Sequence, residues 1–328
     1  MRIVFLGSGD FGLPTLERLV QRHDVVAVVS QPDRSAGRRR QLTPTPVAAW
    51  AQRQGLDVRK SENVNDAGFI ERVRAYRPDV GVVIAFGQKL SPELIDAFGR
   101  LAINVHGSLL PRYRGAAPVN WAVIQGEKVT GITVIGLAQR MDAGAMYGQA
   151  RIDIDPGETA GEVHDRLASL GPELVTDVLT RLERGTLEAQ PQDDAEATRA
   201  PKLSKADGTV DFAQPAERVR ARVHGLTPWP GCRVAWHRAG AAGGASPAVL
   251  TLRRVEVMAE VPAVIAERWP DAEPGRVLDR ELVMTGQGLV RLIEVQAAGT
   301  RVMSADAFAR GHGLAPGDLL TAMDDPAK

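Results

Sequence analysis

Residues 2–30 read RIVFLGSGDFGLPTLERLVQRHDVVAVVS. RIVFLG is a short apolar run, LPTLERLVQR carries apolar residues at helical spacing, and VVAVVS is a second run. Strand, helix and strand in direct succession form the unit of a parallel sheet. The alternation continues downstream. TPVAAWAQRQG reads as a helix with a glycine stop, and DVGVVIAFG as a third strand. SPELIDAFG offers Ser91 as an N-cap and Pro92 at the first helical position. LAINVH and GITVIGL are further strands, and TAGEVHDRLASLGPELVTDVLTRLERG is a long helical pattern with an expected break near Gly171 and Pro172. Apolar strands separated by helices predict an α/β domain, doubly wound around a mostly parallel sheet.

Around residues 190–205 the composition changes. AQPQDDAEATRAPKLSKADG is polar and poor in large apolar residues, as a linker or surface crossing is. Beyond it TVDF, RVAWHRAG, AVLTLRRVEVMAE, GRVLDRELVMTG and LVRLIEVQAAG are short β runs punctuated by glycine. They predict a small barrel or sandwich with one helix, AERVRARVHGL, near its start. The expected division is therefore residues 1–190, a linker over 191–204, and a second domain over 205–322. The Gly/Ala-rich residues 240–246 read as a lengthened surface loop, and no internal repeat is present.

Bulk properties exclude several classes. At 328 residues the chain can build two cores of ordinary size. Apolar content of 44% and charged content of 24% are those of a soluble globular protein. Lys+Arg and Asp+Glu each total 40, so no global field draws polyanions or anionic membranes. The amino terminus lacks the apolar region of a signal peptide. No apolar run approaches the roughly 20 residues that cross a bilayer. The expectation is a cytoplasmic protein with no membrane contact. A lone cysteine, Cys232, excludes an internal disulfide and a cysteine-based zinc site, and reads as a small buried apolar residue.

Residues 103–117, INVHGSLLPRYRGAA, carry the densest chemistry. Asn104 and His106 are two apart at the end of an expected parallel strand, so they share one face. Open α/β sheets bind ligands at that edge. An amide that stabilises an oxyanion beside an imidazole that moves a proton is the minimum kit for acyl transfer. Asp142, in RMDAGAM, is the carboxylate able to orient the imidazole. The alternative is that Asn104 caps the strand end and His106 is a packed loop histidine.

Two further features compete for function. GSGDFG at residues 7–12 matches G-x-G-x-x-G after a strand, with Asp33 roughly 20 residues on, as in dinucleotide binding. Pro14 follows closely and Asp33 lies in a basic loop, so the glycines also fit a simple tight turn. QPDRSAGRRRQLTPTPV places Arg34, Arg38, Arg39 and Arg40 in a loop after the second strand. With Arg112 and Arg114 these arginines form a local positive rim able to meet phosphates, or a solvated surface loop. His23, His164, His224, His237 and His312 have no ligand spacing and read as structural, and no pattern argues for a metal.

Taken together, QPDRSAGRRRQLTPTPV, VVIAFGQKLSPELI, INVHGSLLPRYRGAAPVNWAVIQGE, TGITVIGLAQRMDAGAM, KLSKADGTVDF, LTPWPGC and VQAAGTRVMSADAFARG resemble the methionyl-tRNA formyltransferases, nearly end to end and in order. The resemblance implies a Rossmann-like catalytic domain and an OB-fold-like β-barrel that binds tRNA. It implies transfer of a formyl group from 10-formyltetrahydrofolate, the co-substrate, to methionyl-initiator tRNA for translation initiation. It places catalysis on Asn104, His106 and Asp142. Folate contacts fall on Ser108, Leu109, Leu110 and Pro111, with Ile84, Ala85, Phe86 and Gly87 lining the pterin pocket. The loop holding Arg38 would reach the acceptor stem. No metal and no dinucleotide is required, and the expected state is a monomer. One departure is Ala145, where the family commonly has a second acid. Two other readings remain: a formyltransferase acting on an amino sugar nucleotide, and a nicotinamide-dependent oxidoreductase.

Overall fold

The computed structural model describes residues 1–36, 41–240, 247–258 and 260–323. The chain forms two compact units. The first comprises Met1–Pro118, Thr130–Ile152 and His164–Ala200, and the second Val119–Val129, Asp153–Val163 and Pro201–Lys328.

In chain order the first unit begins with β1 (Arg2–Gly7), α1 (Leu13–Arg22) and β2 (Asp24–Ser30), then the short pair β3 (Arg34–Ala36) and β4 (Gln41–Thr43). α2 (Pro46–Arg53), β5 (Val58–Lys60), α3 (Ala67–Ala75), β6 (Val80–Ile84), α4 (Pro92–Ile95) and β7 (Leu101–His106) follow. β8 (Arg114–Gly115), β9 (Val129–Gly136) and β10 (Met146–Asp153) continue the unit, while α5 (Pro118–Ile124), between β8 and β9 in the chain, falls in the second unit but for Pro118. The long α6 (Ala160–Glu183) and the short β11 (Arg199–Ala200) come next. A seven-stranded sheet has the order β5-β2-β1-β6-β7-β9-β10. The pairs from β5 through β7 are parallel, and β9 turns antiparallel to β7. This is the expected doubly wound, mostly parallel sheet. Ile3 to Leu6 of β1 and all of β6 are buried. Central parallel strands are covered on both faces, which is why they read as continuous apolar runs.

Local signals set the helix starts. Thr45 Oγ1 accepts from Ala48 N–H at 3.1 Å to cap α2, and Ser91 caps α4 with Pro92 in its first turn, as expected. The expected break in α6 does not occur: Gly171 and Pro172 lie inside one continuous helix. Gly171 faces α1 so closely that a Cβ would sit 2.3 Å from Thr15 Oγ1. Packing on α1 holds the helix through a local breaker, as tertiary contacts generally outweigh propensity.

The second unit contains α7 (Ala216–Gly225), β12 (Cys232–His237), β13 (Ala248–Met258), α8 (Ala263–Arg268), β14 (Leu282–Met284), β15 (Leu289–Ala297), β16 (Met303–Ser304), α9 (Ala305–His312) and β17 (Leu319–Ala322). Its sheet runs β14-β15-β13-β12-β17, antiparallel throughout, with β16 antiparallel on β15. Residues 275–277 bond to both edges, Gly275 N–H to Met284 O and Leu320 N–H to Gly275 O. The sheet thereby closes on itself, the small barrel expected from the β runs. TVDF forms no strand. The Thr209 carbonyl instead accepts from Arg222 Nε at 3.0 Å, so a side chain replaces a ladder partner. Residues 241–246, most of the Gly/Ala-rich insert, lie outside the described residues.

Two buried titratable groups shape this unit. Burial pushes the Cys232 thiol up to about 12, against the opposing pull of Arg222, in keeping with an inert apolar packing residue. His224 is 1% exposed, and its Nε2 accepts the Val255 N–H at 3.1 Å. Burial, then Arg254 and Arg220, pull it from 6.5 down to about 4. The folded state thus favours neutral His224, and its contribution is complete above pH 6.5 and lost as pH falls toward about 4. The thermal midpoint is expected to drop across that window. His224→Leu should flatten the slope while lowering the midpoint at pH 7, because the Val255 N–H loses its acceptor.

Candidate active site

Register brings the expected residues together. Val83 of β6 pairs with Asn104 of β7, so the segment after β6 and the end of β7 share one sheet edge. Asn104 is half-buried and its amide has no hydrogen-bond partner among the described residues. Two residues on, His106 is 6% exposed, with Nε2 2.9 Å from the Tyr113 carbonyl. A carbonyl only accepts, so that nitrogen carries a proton and donates. The other nitrogen, Nδ1, lies 3.7 Å from Asp142 Oδ1. Asp142 Oδ2 accepts from Gly115 N–H at 2.9 Å. One carboxylate oxygen is thus anchored to backbone while the other faces the imidazole.

The loop after β7 is built on two side chains that sequence reasoning missed. Thr133 Oγ1 donates to Ser108 O at 2.7 Å and accepts from Leu110 N–H at 3.1 Å. Gln149 Nε2 donates to that same hydroxyl at 3.0 Å and to Leu110 O at 2.9 Å. Ser108 Oγ closes the loop onto Arg112 O at 2.6 Å. Ser108 and Leu110 are buried, while Leu109 and Pro111 are half-buried. The available signal was Thr133 itself, a hydroxyl in the middle of the apolar run GITVIGL, fully buried and opposite His106.

Ile84 and Phe86 are buried, whereas Ala85 and Gly87 are exposed and both have positive φ, 47° and 87°. Among the described residues the non-glycine positions with positive φ are Arg77, Ala85, Tyr113 and Asp142. Three of these lie in the site loops. Such strain costs about 1–3 kcal/mol per residue and persists where surrounding structure over-determines it.

The glycine-rich turn at residues 7–12 is accounted for by packing. A Cβ on Gly7 would lie 2.6 Å from the Phe5 ring, and one on Gly12 3.0 Å from it. The Ser8 and Gly9 N–H groups point to Ala85 O at 3.2 and 3.4 Å, not outward as a phosphate cradle needs. Asp33, the candidate ribose acid, is paired with Lys60 at 2.5 Å.

The arginine rim divides. Arg34 is exposed in β3, and Arg38, Arg39 and Arg40 lie outside the described residues. Arg112 is exposed over the Tyr113 ring. Arg114 turns inward: Nε and Nη2 reach Gln192 Oε1 at 3.0 and 2.7 Å, and Nη1 reaches Asp194 at 2.8 Å. Hydrogen bonds from Arg140 and Arg114 hold the Asp194 carboxyl below its ordinary range. Ala145, at the position of the family's second acid, lines an open cleft of about 430 Å³ with Arg140, Gln192 and Asp194. Among the described residues no cluster of His, Cys, Asp or Glu could hold a metal. An amide, an imidazole and an anchored carboxylate suit acyl transfer.

The chain matches the Formyl transferase family over residues 1–179 and the Formyl transferase C-terminal domain over residues 202–313. It is 42% identical to the methionyl-tRNA formyltransferase of Heliobacterium modesticaldum, over 97% of this chain and 99% of that protein. The fold is similar to an N-formyltransferase from Helicobacter canadensis solved with folinic acid and dTDP-3-aminofucose. That likeness has a TM-score of 0.63 at 14% identity, covering 88% of this chain and 98% of the other. HypX from Aquifex aeolicus in complex with tetrahydrofolic acid gives a TM-score of 0.59 at 18% identity, covering 94% of this chain and 47% of that longer one. The chain belongs to the formyl transferase family, on its methionyl-tRNA formyltransferase branch.

Proposed function

We propose that this protein moves the formyl group of 10-formyltetrahydrofolate to the α-amino group of methionine on initiator tRNA. The observation that carries the proposal is the trio at the end of β7, in a chain 42% identical end to end with a protein of that name. The folate supplies an activated formyl group. Asn104 donates its amide hydrogens toward the formyl oxygen, where charge develops as the amine adds. His106 holds or moves the proton that leaves the attacking nitrogen and the one needed by the departing folate nitrogen. Asp142 balances the imidazolium so formed, kept in place by the Gly115 N–H. Ile84 to Gly87 and Ser108 to Pro111 form the folate pocket, whose strained turn and Thr133-braced loop suit a rigid ring system. A tRNA substrate would place the protein in the cytoplasm, and a monomer is the state the family resemblance implies. No helix among the described residues is long and apolar enough to cross a membrane.

The arginine loop is proposed to contact tRNA phosphates. Arg38→Ala is expected to raise KM for charged tRNA several-fold while leaving formylfolate binding unchanged, and the parent's tRNA affinity should fall steeply with salt. Steady-state kinetics at two salt concentrations check this, and equal loss of both substrates would remove the role. The activity is tested by offering the protein 10-formyltetrahydrofolate with either methionyl-initiator tRNA or a dTDP-amino sugar. Formyl-methionyl-tRNA is expected, and turnover of the sugar nucleotide alone would point to the other branch of the family.

A further inference from the structure

Composition marks residues 190–205 as a surface crossing, yet residues 190–200 run along both loops of the site. Gln190 exchanges backbone hydrogen bonds with Met146, at 2.7 and 2.9 Å, and Thr198 takes the Tyr113 N–H on its hydroxyl at 2.8 Å. Between them Gln192 spends its whole hydrogen-bonding capacity on the two loops. Nε2 donates to the carbonyls of Asp142 and Gly144, both at 2.8 Å. Oε1 accepts from Nε and Nη2 of Arg114. Carbonyls only accept and guanidinium only donates, so the amide can sit in one orientation alone.

We propose that Gln192 is a positioning residue for Asp142. The proposal rests on the formyl-transfer reading above. Asp142 is held twice from the Arg114–Gly115 pair: its carboxylate by the Gly115 N–H, and its main chain by Gln192 braced on the Arg114 side chain. Asp194 extends the brace, joining Arg114 to Arg140 at the other end of the Asp142 loop at 2.8 and 2.7 Å. Asp142 needs such a hold because its φ is 54°, a conformation an aspartate leaves unless its surroundings retain it. Without the two donors the main chain at Asp142 is free to relax, and its carboxylate leaves the 3.7 Å approach to His106. Misplacement by about 1 Å costs on the order of 100-fold in rate.

The test compares Gln192→Ala and the near-isosteric Gln192→Glu, each alone and combined with Asp142→Asn. Gln192→Glu keeps an acceptor for Arg114 but cannot donate to the two carbonyls. Each single variant is expected to lower kcat by about 10- to 100-fold, with KM for both substrates within about 2-fold of the parent. In the Asp142→Asn background the same change should cost under about 3-fold, because the group it positions is already disabled. Amide hydrogen exchange in the full-length protein should accelerate at Gly115 and at residues 143–146, with other segments unchanged. A parent-like kcat, a loss confined to KM, or a penalty carried in full into the Asp142→Asn background would overturn the proposal. If the parent does not formylate methionyl-tRNA, the formyl-transfer reading has failed. Hydrogen exchange then decides the positioning claim alone: unchanged protection at Gly115 and residues 143–146 sinks it, and selective loss there upholds it.

Discussion

His106→Ala is expected to reduce kcat for formyl transfer by about 10²- to 10⁴-fold, the range a positioned general acid–base supplies. The side chain is 6% exposed and lies between the Tyr113 carbonyl and the Asp142 carboxylate. Asn104→Ala should cost about 10²- to 10³-fold, as loss of one oxyanion donor does. Because the proposed mechanism has the two act on one event, the double variant should lose far less than the product of the single losses. Single-turnover rates with saturating formylfolate measure this, and full multiplicativity would mean that the residues work in separate steps. The fold should survive both changes, since neither side chain belongs to the apolar cluster formed by Val4, Leu6, Val83 and Phe98.

Gly144→Ala is expected to be the most damaging single methyl in the site. A Cβ there would lie 1.8 Å from the Gly136 carbonyl oxygen, and that atom belongs to β9. Neither backbone can yield without breaking the Gly136 N–H to Ala145 O bond at 2.9 Å that closes the loop. Strain of this kind costs several kcal/mol, typical of forced backbone displacement in packed regions. The loop it closes carries Asp142, so activity should fall by about 10²-fold or more even where the protein remains folded. Thermal unfolding together with kcat checks this. A variant with parental kcat would show that the loop tolerates displacement. Gly115→Ala makes a companion variant: its φ is 132° and a Cβ would meet Ala200 O at 2.4 Å.

Much of the fold was legible because its signals are local. Ile3–Leu6 of β1 and the whole of β6 are apolar without interruption, since parallel strands are covered on both faces. Ser91 and Thr45 mark helix starts by the chemistry of orphan amide groups. What failed depended on partners distant in sequence. Gly171 and Pro172 sit inside α6 because α1 packs there, and TVDF is no strand because Arg222 takes the Thr209 carbonyl. In the site, Asn104 and His106 were legible from a spacing of two on one strand. Asp142 was legible as a type but not as a geometry, because the Gly115 N–H that holds it arrives from another loop. Thr133, Gln149 and Gln192 escaped notice because a polar side chain shows its purpose only when its acceptors are placed. The GSGDFG motif misled in the opposite direction. Gly7 and Gly12 are held to glycine by close approach to Phe5, and the Ser8 and Gly9 amides face Ala85, so two of the three glycines are explained by packing.

Asn104, His106 and Asp142 are proposed to transfer a formyl group to methionine on tRNA. Single-turnover formylation of methionyl-initiator tRNA, with 10-formyltetrahydrofolate and excess protein, tests it most directly when the parent is run beside Asp142→Asn. Formyl-methionyl-tRNA is expected from the parent and a rate lower by about 10²-fold or more from the variant, with tRNA still bound. Equal rates from the two proteins, or no product from the parent, would contradict it.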